Sequence, residues 1–314
     1  MGNCSFCGGD MAVRFSVCDH LRPADPTLYQ VEWCTPCGYG RLRGNLDAAT
    51  VRGFSPARSF PLKIAIAIRR PTAFLDRLRD HLARRLDRGA ELHPRELART
   101  LSLTGREPTL CDVGCGTGRM MRMFAASGFD VTGIEPDLEA RKVASQYGSV
   151  LAGTAEALPE KIEGSQFSVV LLSHVLEYCI DPAAALENVK QLLAPGGTAV
   201  LEVPNCASAG FNLNGPAWFF TDVPRHRHFF TRASLDRTLE AAGFKVVRRI
   251  YQGYARQMSP DWMQAEQAIR EKIGMEAGQA SAWGLLARTA FSSVDAKYDS
   301  IRVHAICTQG TEEE

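Results

Sequence analysis

Three groups of residues in this chain have the types and the spacing to do chemistry. The first is Leu110 to Met120, LCDVGCGTGRM, where an apolar run from Thr109 to Val113 feeds the turn Gly114-Cys115-Gly116-Thr117-Gly118. A helical pattern follows, with Met120, Met121, Phe124 and Ala125 on one face. Strand, tight glycine turn and helix open a nucleotide-binding α/β unit. Glycine lets a ligand lie directly on the backbone, where a Cβ would hold it away. The next apolar strand, Phe129 to Ile134, runs into Glu135 and Pro136, and an acid at that separation accepts hydrogen bonds from both ribose hydroxyls. Dinucleotide binders carry G-x-G-x-x-G; here Arg119 stands three places after Gly116.

The second group is a pair of cysteine knuckles, Cys4-x-x-Cys7-Gly8 and Cys34-x-x-Cys37-Gly38. In each, two thiolates fall on one side of a tight turn, and the glycine relieves strain after the second. Together the knuckles supply four sulfur ligands for a tetrahedral zinc. Such a set is closed, so the metal is structural and offers no open position for catalysis. Cys18 and His20 lie between the knuckles as substitute ligands. The segment between them, with Phe15, Val17, Leu28, Tyr29, Val31 and Trp33, is too short for a core of its own, so a metal would carry much of its folding energy. Free thiols or a redox pair is the other reading.

The third group is Asp222-Val223-Pro224-Arg225-His226-Arg227-His228, inside a long loop from Pro204 to Thr231 that also holds Trp218, Phe219, Phe220, Phe229 and Phe230. Loops of this length inside a compact domain are usually functional. The aromatics are expected to form a pocket wall, and an imidazole, which titrates near neutrality, is the natural general base. His226 is the first candidate and His228 the second. The bland alternative is two loop histidines bonded to backbone or paired at the surface. A His-x-His metal pair would need a third ligand, and none stands nearby in the sequence.

The first group, D-V-G-C-G-T-G with an acid at the tip of the following strand, resembles the principal signature of class I S-adenosylmethionine-dependent methyltransferases. A nucleotide binder of another kind is the alternative. The resemblance implies a doubly wound, Rossmann-like α/β fold with a seven-stranded, mostly parallel sheet. It implies that S-adenosylmethionine is held by Asp112, Gly114, Cys115, Gly116, Gly118, Glu135, Pro136, Thr154, Ala155, Ser173 and His174. Thr154 stands where that family often has Asp. Ser173-His174-Val175-Leu176-Glu177-Tyr178 resembles the segment along the methionine end of the cofactor, which places His174 in the pocket wall and leaves Glu177 and Tyr178 as weaker base candidates. Leu193-Ala194-Pro195-Gly196-Gly197 before a strand is a further match. The paired knuckles ahead of such a core are similar to the zinc-module sugar C-methyltransferases. In those enzymes a Glu-His pair precedes an aromatic and F-S; aligning F-S with Phe230-Thr231 puts their His on His226 and their Glu on Arg225. Arg at that place departs from the pattern, so sugar and carbon-acid chemistry are not carried across.

The elements that must position these groups follow from hydrophobic periodicity. Val150 to Gly153, Phe167 to Leu172, Thr198 to Val203, Phe244 to Tyr251 and Ser300 to Cys307 read as strands, the second of them continuously apolar as in a sheet covered on both faces. Asp181-Pro182 starts a helix by capping it and filling its first position. From Pro71 to about Leu101 the pattern is helical, with Phe74, Leu75, Leu78, Leu82 and Leu86 on one face and a break at Gly89. Its other face carries Arg77, Arg79, Arg84, Arg85 and Arg88 among aspartates, as a solvated face does. Met258 to about Phe291 reads as a helical insertion, serving as a lid, a dimer contact or a passive cover of the sheet. The expected organisation is a zinc-ribbon-like module with linker over residues 1–60, a helical segment over 61–108 and the main domain over 109–314. Val51 to Phe60 is read as a linker or lid, and Thr308 to Glu314 as a frayed tail.

At 314 residues the chain accommodates one large α/β domain and a small extra module. Its 36 basic and 35 acidic residues nearly balance, which argues against a dominant nucleic-acid footprint while leaving room for a local patch. No apolar run approaches the roughly 20 residues that span a bilayer. Ten cysteines without a secretory pattern read as metal ligands and free thiols, so the expected compartment is the cytoplasm. The leading expectation is methylation of a small biosynthetic intermediate (a sugar, a glycan precursor or a natural product) at oxygen or carbon. The second is an RNA or protein methyltransferase that uses the zinc ribbon for recognition; balanced charge and the lack of an N-P-P-[FY] motif stand against it. A non-catalytic cofactor-binding scaffold is the third.

Overall fold

The computed structural model describes residues 2–22, 24–44, 74–89, 92–103, 105–275 and 282–308. The proposed linker or lid at Val51 to Phe60 and the helix start at Pro71 lie outside the described residues. Two compact units are present, one of Met1–Ala90, Pro204–Ser234 and Tyr251–Ile301, the other of Glu91–Val203, Leu235–Ile250 and Arg302–Glu314.

The small sheet opens with β1 (Ala12–Val17), β2 (Tyr29–Cys34) and β3 (Tyr39–Leu42). The large sheet then takes β4 (Thr109–Val113), β5 (Asp130–Ile134), β6 (Ser149–Leu151), β7 (Phe167–Ser173) and β8 (Leu193–Pro204). The chain returns to the small sheet for β9 (His228–Phe230) and ends in the large one with β10 (Phe244–Gln252) and β11 (Ser300–Cys307). The large sheet has seven strands in the order β10-β11-β8-β7-β4-β5-β6 and is mixed but mostly parallel, as the sequence leads one to expect. The chain leaves β4 outward through β5 and β6, then crosses back to place β7 on the other side of β4. That reversal puts a topological switch point at the carboxyl ends of β4 and β7, where open α/β sheets bind their ligands.

Helices are numbered α1 (Phe74–Leu86), α2 (Pro94–Leu103), α3 (Arg119–Ala125), α4 (Leu138–Ala144) and α5 (Pro182–Leu192) through the middle of the chain. They continue as α6 (Ala209–Asn214), α7 (Arg232–Ala241), α8 (Pro260–Lys272), α9 (Ala282–Thr289) and α10 (Val294–Lys297). The Asp181 carboxylate accepts from the N–H groups of Ala183 (2.9 Å) and Ala184 (3.2 Å), and Pro182 fills the first helical position of α5. Ala185, Leu186, Val189 and Leu192 then bury one stripe of that helix. The Leu-Ala-Pro-Gly-Gly turn is absorbed into β8 as an irregularity: Leu193 is opposite Phe167, and the next registered pair is Val169 with Thr198.

Two expectations need correction. The apolar stripe of α1 is not its buried face: Phe74, Leu75, Leu78 and Leu82 are exposed, and Arg79 and Ala83 are buried. Arg79 explains this, because its Nε donates to the Met258 carbonyl (3.0 Å) and its Nη1 to Asp76 (2.6 Å), so a satisfied guanidinium takes the inner position. The aromatics of the 204–231 loop do not form an open wall. Trp218, Phe219, Phe220 and Phe229 are buried in one cluster with Phe211 and Trp262, where edge-on ring packing is the favoured arrangement. Helix α8 of the insertion contributes Trp262 to that cluster, 4.3 Å from Phe219 centroid to centroid, while α9 packs Ala282, Leu285 and Leu286 with Tyr254 and Tyr298. A run of large aromatics around a short helix makes a core from what reads, by length alone, as a loop.

Candidate active site and metal centre

The glycine turn after β4 carries three left-handed residues, Gly114 (φ +72°), Gly116 (φ +54°) and Gly118 (φ +81°). They are glycine for different reasons. A Cβ on Gly114 would stand 2.6 Å from Val175 Cγ2, and one on Gly118 would stand 2.9 Å from the Ala144 backbone. Those two positions are therefore closed by the protein itself, which narrows the expectation that all of them make room for a ligand. At Gly116 a Cβ would meet nothing within 4 Å, so this one has an open face.

Glu135 stands across from that face. One carboxylate oxygen accepts from the Gly116 N–H (2.9 Å) and the other from the Asp137 N–H (2.9 Å). Burial pushes its carboxyl pKa up, and the two amides pull it back. Pro136 presents its carbonyl to Arg141 Nη1 (2.7 Å). Beneath the turn Asp112 is buried, and burial together with Glu135 pushes its carboxyl up to about 8. Asp112 Oδ2 has no hydrogen-bond partner within the protein. Cys115 is buried, with its sulfur against Gly133. Thr154 Oγ1 accepts from the Ala157 N–H (3.0 Å), so its hydroxyl closes a local turn; Ala155 offers its carbonyl to Asn188 (2.9 Å). An open glycine face beside a two-oxygen acceptor, with a buried carboxylate oxygen to spare, fits a ribose-bearing cofactor.

At the end of β7, Ser173 and His174 lead into a knot of charge. His174 takes φ +58°, alone among the described residues other than glycine, a conformation that costs about 1–2 kcal/mol. Its N–H donates to the Glu202 carbonyl (2.9 Å), and its ring bridges Glu177 Oε1 (3.1 Å) and Glu202 Oε1 (3.6 Å). Arg302 of β11 donates to the other Glu202 oxygen, from Nε at 3.2 Å. Burial opposes a charge on His174, but Glu177 and Glu202 outweigh it and lift its pKa to about 9. No motif marks Glu202 and Arg302; the signal for such a pair is a charge inside an otherwise apolar strand.

In the other unit, Cys4, Cys7, Cys34 and Cys37 bring their four sulfurs within 4.8 Å of one another. Zinc–sulfur bonds of about 2.3 Å in a tetrahedron place sulfurs about 3.8 Å apart, and Cys7 and Cys34 stand at 3.7 Å. The four cysteines thus fit a structural zinc; Cys18 and His20 are not among them. His20 is buried and turns toward Asp222, Nε2 to Oδ1 3.9 Å.

The histidine loop lies in the same unit. Asp222, Arg225, His226 and Arg227 are all buried. Arg225 donates from both terminal nitrogens to Asp19 (2.9 and 2.7 Å) and from Nε to Asp222 (2.8 Å). Burial disfavours its charge, and Asp222 and Asp19 more than offset that, so it stays cationic. The position aligned with a glutamate in the sugar enzymes is therefore an internal clamp. The His226 N–H donates to the Asp222 carbonyl (2.7 Å), which closes the turn that carries it. His228 opens β9, its Nδ1 2.5 Å from the Tyr39 hydroxyl.

The methyltransferase-domain family matches residues 69–249 of the sequence. The chain belongs to that family. It is a class I S-adenosylmethionine-dependent methyltransferase domain, with a four-cysteine module outside the matched stretch. Among its relatives is a ubiquinone biosynthesis O-methyltransferase of Psychrobacter arcticus, 36% identical over 159 residues, which are 46% of this chain and 61% of that protein. One of the same description from Cereibacter sphaeroides is 31% identical over 188 residues, 56% of this chain and 72% of that one. The chain thus spans about three fifths of the first of these relatives. Among solved structures it is similar to a chain in the complex of the Haloferax volcanii Trm112 methyltransferase activator with a methyltransferase, at 16% identity, coverage of 81% and 99%, and a TM-score of 0.46.

Two expected outcomes arise at the cofactor side of this methyltransferase. Glu135→Ala removes an acceptor that faces the open glycine, and loss of a charged hydrogen-bond partner costs about 1.5–3 kcal/mol. S-adenosylmethionine affinity by calorimetry should fall about 10- to 100-fold, and unchanged affinity would remove Glu135 from the site. The second concerns pH. The folded pKa of His174 lies above the ordinary value of 6.5, at about 9, so its ion pairs stabilise fully below pH 6.5 and are lost as pH rises through 9. The melting-temperature gap between wild type and His174→Gln should therefore close across that window; a gap independent of pH would contradict the ion-pair account.

Proposed function

We propose that this methyltransferase methylates a small biosynthetic intermediate, at oxygen or at carbon, with His226 taking the acceptor's proton. S-adenosylmethionine supplies an electrophilic methyl group on a sulfonium. The chain's own residues bind it through Glu135 and the glycine turn, and the end of β7 flanks the switch point with Ser173 and His174. Asp112, Cys115, Pro136, Thr154 and Ala155 line the same strand ends by this reading. On the acceptor side, Arg225 locks the loop between Asp19 and Asp222, and the His226 ring accepts the proton as the acceptor atom becomes nucleophilic. His228 is the second candidate for that role.

The observation that carries the reading is the density of buried polar groups where residues 19–20 meet the 222–227 turn. Asp19, His20, Asp222, Arg225, His226 and Arg227 are all buried in the same unit, where burying charge is expensive unless it is paired and hydrogen-bonded, as Arg225 is. Buried polar groups held close together in this way concentrate where chemistry is done. An internal polar cluster suits an acceptor small enough to be enclosed, and the relatives' description as O-methyltransferases of ubiquinone biosynthesis favours oxygen and a small molecule. The test is to denature the purified protein and identify what it releases by mass spectrometry. The proposal expects zinc, S-adenosylmethionine or its demethylated product, and a small pathway intermediate; RNA fragments in their place would overturn it.

A further inference from the structure

The zinc knuckles and the histidine loop are joined by more than proximity. β9, which begins at His228, is the fourth strand of the small sheet, antiparallel to β3 with Tyr39 opposite Phe230, Gly40 opposite Phe229 and Arg41 opposite His228. β3 begins two residues after Cys37. The Leu42 N–H donates to the Arg227 carbonyl (2.8 Å), the Ser234 hydroxyl to the Gly38 carbonyl (3.0 Å), and a Cβ on Gly38 would stand 2.6 Å from Thr231 Oγ1. Tyr39 meets His228 and Asp19 meets Arg225, as described above. Both ends of the 225–231 segment are therefore held by residues next to, or between, the two metal knuckles.

We propose that the zinc module is the positioning device for the histidine loop, so that metal occupancy sets the acceptor-side geometry and leaves the cofactor side alone. The proposal rests on the reading of that loop as the acceptor-binding segment. Its physical basis is the size of the module. Some forty residues bury too little apolar surface to fold unaided; Val17, Val31 and Leu42 borrow the aromatic cluster of the same unit as their core, and the four-cysteine centre orders the knuckle ends of the strands. Without it the start of β3, two residues from Cys37, loses its tether, and the β3–β9 ladder that orients His228 and the His226 turn just before it loosens. Asp19, Tyr39 and Gly38 are positioning residues in this scheme. The cofactor-binding turn and Glu135 belong to the other compact unit, with its own hydrophobic core.

The experiment compares the zinc-loaded full chain with the same protein stripped by a chelator and then reloaded with zinc, using amide hydrogen exchange and calorimetric titration of S-adenosylmethionine. Local opening shows in exchange without any assay of turnover. The expected result is exchange about 100-fold faster at Leu42 and residues 228–230 in the stripped protein, unchanged protection at 109–113, cofactor affinity within about threefold, and recovery on reloading. Asp19→Asn, which keeps all four cysteines, should retain zinc and loosen 222–227 selectively. Unchanged protection of 228–230 after metal loss would overturn the proposal, and so would loss of cofactor affinity in parallel, since the metal would then be holding the whole chain together. These readouts do not depend on which histidine takes the proton. A failure of His226 as base would leave them standing, and a failure here would leave the His226 assignment to its own test.

Discussion

His226→Ala is expected to lower turnover about 10²- to 10⁴-fold, the usual contribution of a positioned general base, while S-adenosylmethionine affinity stays near that of the wild type. The two halves of this result come from different parts of the molecule. His226 sits in a turn closed by its own N–H on the Asp222 carbonyl and locked by the Arg225 clamp, and nothing in that turn belongs to the glycine loop or to Glu135. A variant that loses rate and cofactor affinity together would point to a folding defect. A variant with unchanged turnover would show that His226 is not the base, and His228→Ala would be measured next. His228 differs in one respect: its Nδ1 is committed to the Tyr39 hydroxyl. Purified enzyme, a saturating cofactor concentration and a pH series separate the cases, because loss of a general base removes the limb of the rate profile that belongs to it.

Cys34→Ser is expected to abolish stoichiometric zinc and to unfold the N-terminal module. A structural zinc site supplies on the order of 10 kcal/mol to a small domain, more than the hydrophobic surface of β1 to β3 can replace. Cys34 is the last residue of β2 and a member of the four-sulfur cluster, so its loss removes a ligand and frays the strand that pairs with both β1 and β3. Metal analysis should fall from one zinc per chain to less than about a tenth, and limited proteolysis should open sites between Met11 and Leu42 that the wild type protects. Full zinc content in the variant would mean that Cys18 or His20 can step in, and intact protection without zinc would mean that the module folds on its own side chains.

The parts of this molecule that were legible in its sequence are the ones that local chemistry dictates. Asp181-Pro182 is a cap and a first helical position, the apolar run of β7 has the length of a covered strand, and four cysteines in two C-x-x-C-G knuckles have the spacing of one tetrahedral centre. The glycine turn was legible in outline, but the division of labour within it was not, since Gly114 and Gly118 answer to Val175 and Ala144, which lie far along the chain. Non-local pairing hid the rest. Tyr39 and His228 are 189 positions apart, and Asp19 and Arg225 are 206 apart, so no periodicity announces either contact. The same holds for α1, where counting leucines gave the wrong inner face because a single arginine finds a carbonyl and an aspartate to satisfy it. The aromatic stretch from Trp218 to Phe230 looked like a wall of a site because a loop was all that spacing could show; the helix α8 that turns it into a core comes some forty residues later.

The measurement that bears most directly on the central claim is transfer of an isotopically labelled methyl group from S-adenosylmethionine, in extract supplemented with the zinc-loaded protein, followed by separation into small-molecule, protein and RNA fractions. The account predicts label in the small-molecule fraction, dependent on Glu135 and on His226. Label confined to RNA or protein would contradict it, and so would small-molecule label that survives both substitutions.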